Sequence, residues 1–191
     1  METSYAKPDT LIGVALAPLD WTRAAGLVIG FSLLTALAAQ IVIPIGPVPI
    51  TGQTFGVLIT GALLGSRLGA MAMVAYLIEG ASGLPFFQGG HGGLVHLLGP
   101  TGGYLVSFPA AAYITGAFAE HGWDKSFLTA VAAMTVGSAL ILLAGWAWLA
   151  QFMSPSAAFH AGVRPFIIGD VIKILLAAAA LPVGWAILRR R

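Results

Sequence analysis

Charged side chains are rare in this sequence, and three of them fall inside long apolar stretches. Charged residues make up 8% of the 191 residues and hydrophobic residues 58%. The three are Glu79, Asp170 and Lys173. Each costs a few kcal/mol if its side chain faces lipid, so such residues mostly face the inside of a helix bundle and mark a substrate site. Their positions are therefore where we look first for function.

Asp170 and Lys173 are three residues apart on one predicted helix, so their side chains share a face. A fixed ammonium group binds an anion, and a neighbouring carboxylate accepts hydrogen bonds from N–H donors. A ligand with both a carboxylate and an amide- or urea-like group would satisfy this pair. The alternative is that the two residues only neutralise each other as a structural pair.

Two further polar residues are candidates for the same pocket. Glu79 lies beside Gly80 near the end of a predicted span, and it is either a pocket residue or a rim residue whose carboxylate reaches water. Gln53 follows a proline-rich loop and either contacts a ligand or caps a short helix.

Several kinds of chemistry lack their signatures here. The chain has no cysteine, and two nearby histidines, His91 and His96, are too few for a metal centre, so we expect no metal and no cofactor. Neither glycine cluster in the segment 89–103 fits the phosphate-binding pattern that ends in Gly-Lys-Ser or Gly-Lys-Thr. No Gly-x-Ser-x-Gly elbow accompanies Ser82, Ser107 or Asp170, which leaves an intramembrane enzyme as a minor alternative. The basic residues form no stripe, so we expect no nucleic-acid binding.

The apolar stretches predict an all-α integral membrane bundle. A span needs about 20 apolar residues. We predict six transmembrane helices at residues 24–43, 53–64, 69–81, 104–119, 127–150 and 166–188, preceded by an N-terminal cytoplasmic or interfacial tail, residues 1–23, so that residues 24–191 form the membrane domain. Two of these spans are short, so some backbone at membrane depth is irregular, and only protein or a cavity can cover such backbone.

The basic residues predict the orientation. With six spans, only Arg164 of the basic residues outside the spans falls on one side, and the others fall on the opposite side: Lys7, Arg23, Arg67, Lys125, Arg189, Arg190 and Arg191. The positive-inside rule then places both termini in the cytoplasm of a multi-pass cell-membrane protein. The loops 44–52, 83–103 and 151–165 are consequently outside, where we expect a ligand to arrive.

Small residues recur at intervals of four in the first span, where Gly26 is followed by Gly30 and Ser32 by Ala36. This spacing lets two helices approach closely in lipid. The residues serve either internal packing or the docking of another membrane subunit.

Four segments carry a resemblance to a known family. They are GPVPITGQTFGVLITGALLG at 46–65, YLIEGASGLPFFQGGHGG at 76–93, LLGPTGGYLVSFPAAAYITG at 97–116 and RPFIIGDVIKILLAA at 164–178. In this order they resemble the BioY family, the biotin-specific S components of energy-coupling factor (ECF) transporters. The similarity runs from about residue 26 to residue 180.

The resemblance implies a six-helix fold with a biotin pocket near the outer surface. It implies that Asp170 and Lys173 line the pocket, with Lys173 on the biotin carboxylate and Asp170 on the ureido N–H groups, or with Lys173 mainly orienting Asp170. Gln53 and Tyr104 fall inside the family motifs and are further candidates. His91 is also carried over as a pocket contact, although many family members have arginine there. An imidazole is largely neutral at pH 7, so we expect this contact to be weaker or pH-dependent.

The resemblance also implies partners: a transmembrane T component, which would dock on the first helix, and two cytoplasmic ABC ATPases that supply ATP-driven release. Transport as a solitary unit or homo-oligomer stays open. A carrier for a different vitamin is the main alternative, since it would share the fold and differ in its polar pocket residues.

Overall fold

A computed structural model describes residues 10–16 and 18–189 of the chain, so Lys7, Arg190 and Arg191 lie outside the described residues. The described part is mostly helical, as predicted. Its helices are α1 (Leu11–Ala15), α2 (Trp21–Ala38), α3 (Gln53–Leu64), α4 (Ser66–Ala81), α5 (Leu94–Leu97), α6 (Gly102–Glu120), α7 (Phe127–Leu149), α8 (Pro155–Gly162) and α9 (Phe166–Leu188).

The long helices form one bundle in which α6 packs against α3, α4 and α7, while α9 packs against α7 and α3. Glycines permit the closest approaches. A side chain at Gly61 would collide with the backbone of Ala112, and one at Gly116 would collide with the backbone of Gly65. By length and composition, α2, α7 and α9 can each cross a membrane.

The turns at the two ends of the bundle differ in charge. At one end, Ser66 donates its backbone N–H to Glu120 Oε1 (2.8 Å), and Trp185 Nε1 donates to Asp124 Oδ2 (2.6 Å). We call this end, where the turns and helix termini carry Arg23, Arg67, Lys125 and Arg189, the basic end. At the opposite end, the loop end, Gly89 N–H donates to Ala39 C=O. Arg164 lies at the loop end, opposite these four residues.

The first long helix ends earlier than expected. We predicted a span over residues 24–43, but α2 covers Trp21–Ala38. Val42 and Ile43 instead form strand β1 (Val42–Ile43), which pairs antiparallel with β2 (Ile50–Thr51). Pro44 accounts for the extended backbone of Ile43, because the residue before a proline is driven from helical to extended backbone. The short hairpin is an exception to the all-α expectation.

Two short helices lie in loops that the sequence analysis left irregular: α5 in the loop 82–101 and α8 before α9. Ser154 caps α8 through its side chain, which accepts from Ala157 N–H, and Pro155 occupies the first turn, where its missing N–H costs nothing. In the N-terminal segment, α1 is capped by Thr10, and Thr10 and Leu19 are buried at the basic end.

Candidate functional site

The two charged residues of α9 form an ion pair inside the bundle. Lys173 Nζ lies 3.1 Å from Asp170 Oδ1. Asp170 is 4% exposed, and the side chain of Lys173 is 17% exposed. The prediction that the two share an inward face is therefore confirmed. A buried pair of this kind is costly to break, because removal of one partner leaves a buried charge without compensation.

Two hydroxyl groups complete the network around the pair. Thr54 Oγ1 accepts from Lys173 Nζ (2.8 Å) and donates to Asp170 Oδ1 (3.3 Å). Ser138 Oγ donates to Asp170 Oδ2 (2.7 Å). The network thus joins α3, α7 and α9. Thr54 and Ser138 could not be predicted from the sequence, because helical Ser and Thr residues commonly bond their own backbone and no sequence signal marks those that face a charge.

A cavity next to this network lies beneath the hairpin at the loop end. It is bounded by the hairpin, α3, α6 and α9, with a volume of about 30 Å³. Its walls are Val48, Pro49, Thr51, Gln53, Thr54, Gln88, Thr101, Tyr104, Leu105, Phe108, Leu142 and Phe166. Thr54 belongs both to the cavity wall and to the charged network, so the ion pair lies directly behind this wall.

Gln53 is buried and lines the cavity. Its Nε2 donates to Tyr76 Oη (2.6 Å), and its Oε1 accepts from Thr51 Oγ1 (2.8 Å). Tyr76 Oη in turn donates to Phe86 C=O (3.0 Å). The Gln53 side chain therefore links the hairpin, α4 and the loop 82–101, and this role replaces the alternative in which it caps α3. Tyr76, which sequence analysis also missed, is completely buried.

Tyr104 supplies an aromatic wall of the same cavity. Its hydroxyl donates to Gly162 C=O at the end of α8 (2.7 Å), and its ring lies 6.0 Å from that of Phe166 in a stacked arrangement. With the hydroxyl engaged in this bond, Tyr104 contributes mainly an apolar face to the site.

His91 lies outside the cavity, in an open cleft of about 450 Å³ at the loop end. Its ring stacks on His96, with centroids 5.1 Å apart, and His91 Nδ1 lies 2.7 Å from Gln88 C=O, which assigns the hydrogen to Nδ1. Gln88 and Thr101 line both the cleft and the cavity and separate the two. Burial, and secondarily the neighbouring His91, lowers the pKa of His96.

Glu79 is not brought to either of these spaces. It lines neither the cavity nor the cleft. The residue is half-buried, and its Oε2 is shielded from solvent without a hydrogen-bond partner. Of the two interpretations given above, the arrangement does not support the pocket residue.

The small residues of α2 divide between two faces. Ser32 and Ala36 are buried within the chain, and Ser32 Oγ donates to Ile29 C=O. Gly26 and Gly30 are exposed, and an added side-chain carbon at either position would meet no atom within 4 Å. The helix face open to another subunit thus carries the two glycines, whereas the Ser32–Ala36 pair serves internal packing.

No group of three or more His, Cys, Asp or Glu residues that could hold a metal ion occurs within residues 10–16 and 18–189. The site is therefore built from an ion pair, hydroxyl groups, a buried amide and aromatic walls. Such a concave site in an apolar helical bundle defines a class of membrane protein that binds a small polar molecule.

Comparisons with known proteins give the family. The BioY family model matches residues 7–190, and the chain belongs to this family. It is 45% identical over 148 residues to a probable biotin transporter BioY of Pyrococcus horikoshii, with 77% of this chain and 86% of the relative covered. It is 38% identical over 181 residues to the biotin transporter BioY of Rhizobium etli, with 83% and 96% covered. The resemblance identified from the four motifs is confirmed.

A solved structure supports the same conclusion. The crystal structure at 2.1 Å of the S-component for biotin from an ECF-type ABC transporter matches with a TM-score of 0.77 and 26% identity, over 89% of this chain and 92% of that chain. The fold is thus that of an S component. Together with the apolar helices, these relatives make the chain a multi-pass membrane protein.

Proposed function

We propose that this chain is the biotin-binding S component of an ECF-type transporter, which captures biotin from outside and delivers it inward. The relatives are named as transporters, which supports a carrier without catalytic activity of its own. The observation that carries the proposal is the buried Asp170–Lys173 pair behind the cavity wall at Thr54. Biotin has a carboxylate and a ureido ring, the two groups that this pair can bind.

The remaining hydrogen-bonding capacity of the pair suits such a ligand. An ammonium group has three donors. Lys173 uses two, on Thr54 and Asp170, which leaves one for a carboxylate oxygen or the ureido carbonyl. The Asp170 carboxylate has about four acceptor sites. It uses three, so it can accept one further N–H. The alternative assignment, in which Lys173 mainly orients Asp170 for the ureido N–H groups, agrees equally well with the Lys173–Asp170 bond.

Binding requires the loop end to move. Pockets for small ligands occupy roughly 300 Å³ or more, whereas the cavity here is about 30 Å³. The hairpin residues Val48, Pro49 and Thr51 and the side chains of Gln88 and Thr101 lie in loops over the helical part of the cavity. We expect these loop residues to shift outward when biotin enters, and the helices to stay in place.

His91 would act in the outer cleft and not in the cavity. Glu79 has no part in the proposed site.

We place six transmembrane helices in this chain, α2, α3, α4, α6, α7 and α9, with both termini on the cytoplasmic side. The basic end, with Arg23, Arg67, Lys125 and Arg189, would face the cytoplasm by the positive-inside rule. The loop end, with the cavity and the cleft, would then face outside, as capture of an external ligand requires.

The proposed partners are a transmembrane T component and two ABC ATPases. The exposed face of α2 around Gly26 and Gly30 is the proposed docking surface, since bare glycines let another helix approach closely. Co-expression with a T component and the ATPases, followed by purification and ATP-dependent biotin uptake in proteoliposomes, tests this assembly. Uptake by the chain alone would favour a solitary or homo-oligomeric carrier.

The first experiment is equilibrium binding of labelled biotin to the purified protein in detergent. Asp170→Asn and Lys173→Ala should each weaken binding by more than about tenfold, roughly 1.4 kcal/mol. Asp124→Asn is a matched control, because Asp124 is an equally buried carboxylate at the basic end. Competition by thiamin or riboflavin in place of biotin would show a carrier for a different vitamin, and undiminished binding in both variants would return the pair to a structural role.

A further inference from the structure

One hydroxyl group connects the buried ion pair to the cavity. The hydrogen-bonded network around the pair consists of Asp170, Lys173, Thr54 and Ser138. Of these residues, Thr54 is the one that lines the cavity. A ligand in the cavity therefore meets the Thr54 side chain before it can reach either charge.

The position of Thr54 in its helix explains why its hydroxyl faces this network. A threonine inside a helix commonly donates to the carbonyl four residues earlier, as Thr60 does to Gly56 C=O. Thr54 is the second residue of α3, which begins at Gln53, so α3 has no carbonyl four residues before it. Its hydroxyl instead bonds the two charged side chains of α9.

The oxygen of this hydroxyl is held more firmly than its hydrogen. Thr54 Oγ1 accepts from Lys173 Nζ at 2.8 Å but donates to Asp170 Oδ1 at 3.3 Å. Bonds from a hydroxyl to an oxygen are typically about 2.5–3.0 Å long, so the donation to Asp170 is weak. The hydrogen can therefore turn to another acceptor while Lys173 keeps the oxygen in place.

The other hydroxyl groups that border the cavity are less available to a ligand. Those of Thr51 and Tyr104 donate to other groups of the chain at 2.8 and 2.7 Å, within the usual range. Thr101 belongs to the loop residues that we expect to shift outward on binding. Thr54 lies on α3, which we expect to stay in place.

The charges behind Thr54 restrict the ligand group that its hydroxyl can bind. Asp170 and Lys173 already compensate each other in the ion pair. A ligand carboxylate in contact with Thr54 would add a negative charge that the pair does not compensate, and such a buried charge is costly. A neutral carbonyl oxygen adds no charge. In a cyclic urea this oxygen lies beside an N–H group, which matches the neighbouring Thr54 donor and Asp170 acceptor.

We propose that Thr54 is a direct substrate contact, which donates its hydroxyl hydrogen to the ureido carbonyl oxygen of biotin. This inference rests on the proposed function. On binding, the hydrogen turns from Asp170 Oδ1 to the ligand oxygen, while Lys173 continues to donate to Thr54 Oγ1. Asp170 Oδ1 is thereby free to accept from the adjacent ureido N–H. The bond from Lys173 polarises the hydroxyl, which strengthens its donation to the ligand.

Equilibrium binding of labelled biotin to Thr54 variants in detergent tests the proposal. Thr54→Val removes the hydroxyl with little change in shape and should weaken binding about tenfold, whereas Thr54→Ser keeps the hydroxyl and should stay within about threefold of the parent. Thr60→Val is the matched control, because Thr60 is a buried threonine of the same helix whose hydroxyl bonds Gly56 C=O. Thr54→Ala provides the same comparison if Thr54→Val does not fold.

The amide of biotin, in which a neutral group replaces the carboxylate, identifies the ligand group that Thr54 contacts. Its ureido ring is intact, so Thr54→Val should weaken binding of biotin and of the amide by the same factor. A loss confined to biotin would place Thr54 on the carboxylate and overturn the proposal. Undiminished biotin binding in folded Thr54→Val, or an equal loss in Thr54→Ser, would overturn it as well. Absence of biotin binding by the parent would instead refute the proposed function, and this inference with it.

Discussion

The coupling between Asp170 and Lys173 gives the sharpest quantitative prediction. Lys173→Met would leave the Asp170 carboxylate, 4% exposed, with only the hydroxyl groups of Thr54 and Ser138 as donors. Removing one partner of a buried pair costs about 3–5 kcal/mol. We take about 3 kcal/mol, because Lys173 is 17% exposed and both hydroxyl groups remain. Asp170→Asn, which strands the ammonium, should cost a similar amount.

The double variant Asp170→Asn with Lys173→Met tests whether the two residues act as one unit. It removes both charges and keeps an acceptor for Ser138, so it should be no less stable than either single variant. The coupling is then about 3 kcal/mol, the upper end of what neighbouring residues show. Denaturant unfolding in detergent, followed by tryptophan fluorescence, measures all four proteins. Costs that add to within about 0.5 kcal/mol would refute the coupled pair.

Biotin binding in the same four proteins separates structure from function. All three variants should lose more than about tenfold in affinity, roughly 1.4 kcal/mol, including the double variant whose stability is expected to equal that of the singles. A double variant that is stable and binds biotin as tightly as the parent would show that the pair is structural only. The combination of stability and affinity therefore distinguishes the two interpretations that the sequence left open.

Three further predictions concern other parts of the molecule. Tyr76→Phe removes the partner of the Gln53 amide and should cost about 1–3 kcal/mol in unfolding experiments; a cost below about 0.5 kcal/mol would contradict the bond. Gly30→Leu should keep biotin binding and reduce co-purification of the T component, because the added side chain projects into open space; Ala36→Gly is an internal-packing control. The pKa of His96 is lower in the folded protein than the ordinary histidine value of about 6.5. Neutral His96 therefore stabilises the loop 82–101 above about pH 6.5, and this stabilisation should be lost as the pH falls through the pKa of His96 in the folded protein. Hydrogen exchange of that loop should therefore rise below about pH 6 in the parent and not in His96→Gln.

Three predicted helices have bounds close to those of the structure. The bounds of α3 and α9 agree with the prediction, and those of α7 agree to within one residue. A predicted helix boundary is wrong where a local feature such as a proline opposes the apolar character of the segment. The mostly apolar residues 39–43 continued the first span by composition, but the chain turns after α2, and Val42 and Ile43 pair with β2.

The residues of the candidate site that could be predicted from the sequence are the charged ones, because a charged side chain inside a membrane has a high free-energy cost. Asp170 and Lys173 were identified because a charged residue in an apolar helix is energetically costly and commonly serves a function. In the structure the two side chains form an ion pair. His91 and Glu79 were associated with the pocket through a shared loop and a span end, and both lie away from the cavity. Proximity along the chain does not specify which side of a loop faces inward.

Composition by itself determined that this chain is a helical membrane protein, since 58% hydrophobic and 8% charged residues leave no material for a water-facing surface. The spacing of two charges determined that they share a helix face, and four motifs determined the family. Only the tertiary structure decided that Thr54 and Ser138 contact the charged pair, that Tyr76 contacts Gln53 and that Asp124 is buried. A hydroxyl group in a helix has a low free-energy cost, because it can bond the backbone of its own helix. A carboxylate in a turn is expected to be exposed to solvent. The contacts of both kinds of residue are therefore set only when distant helices pack together.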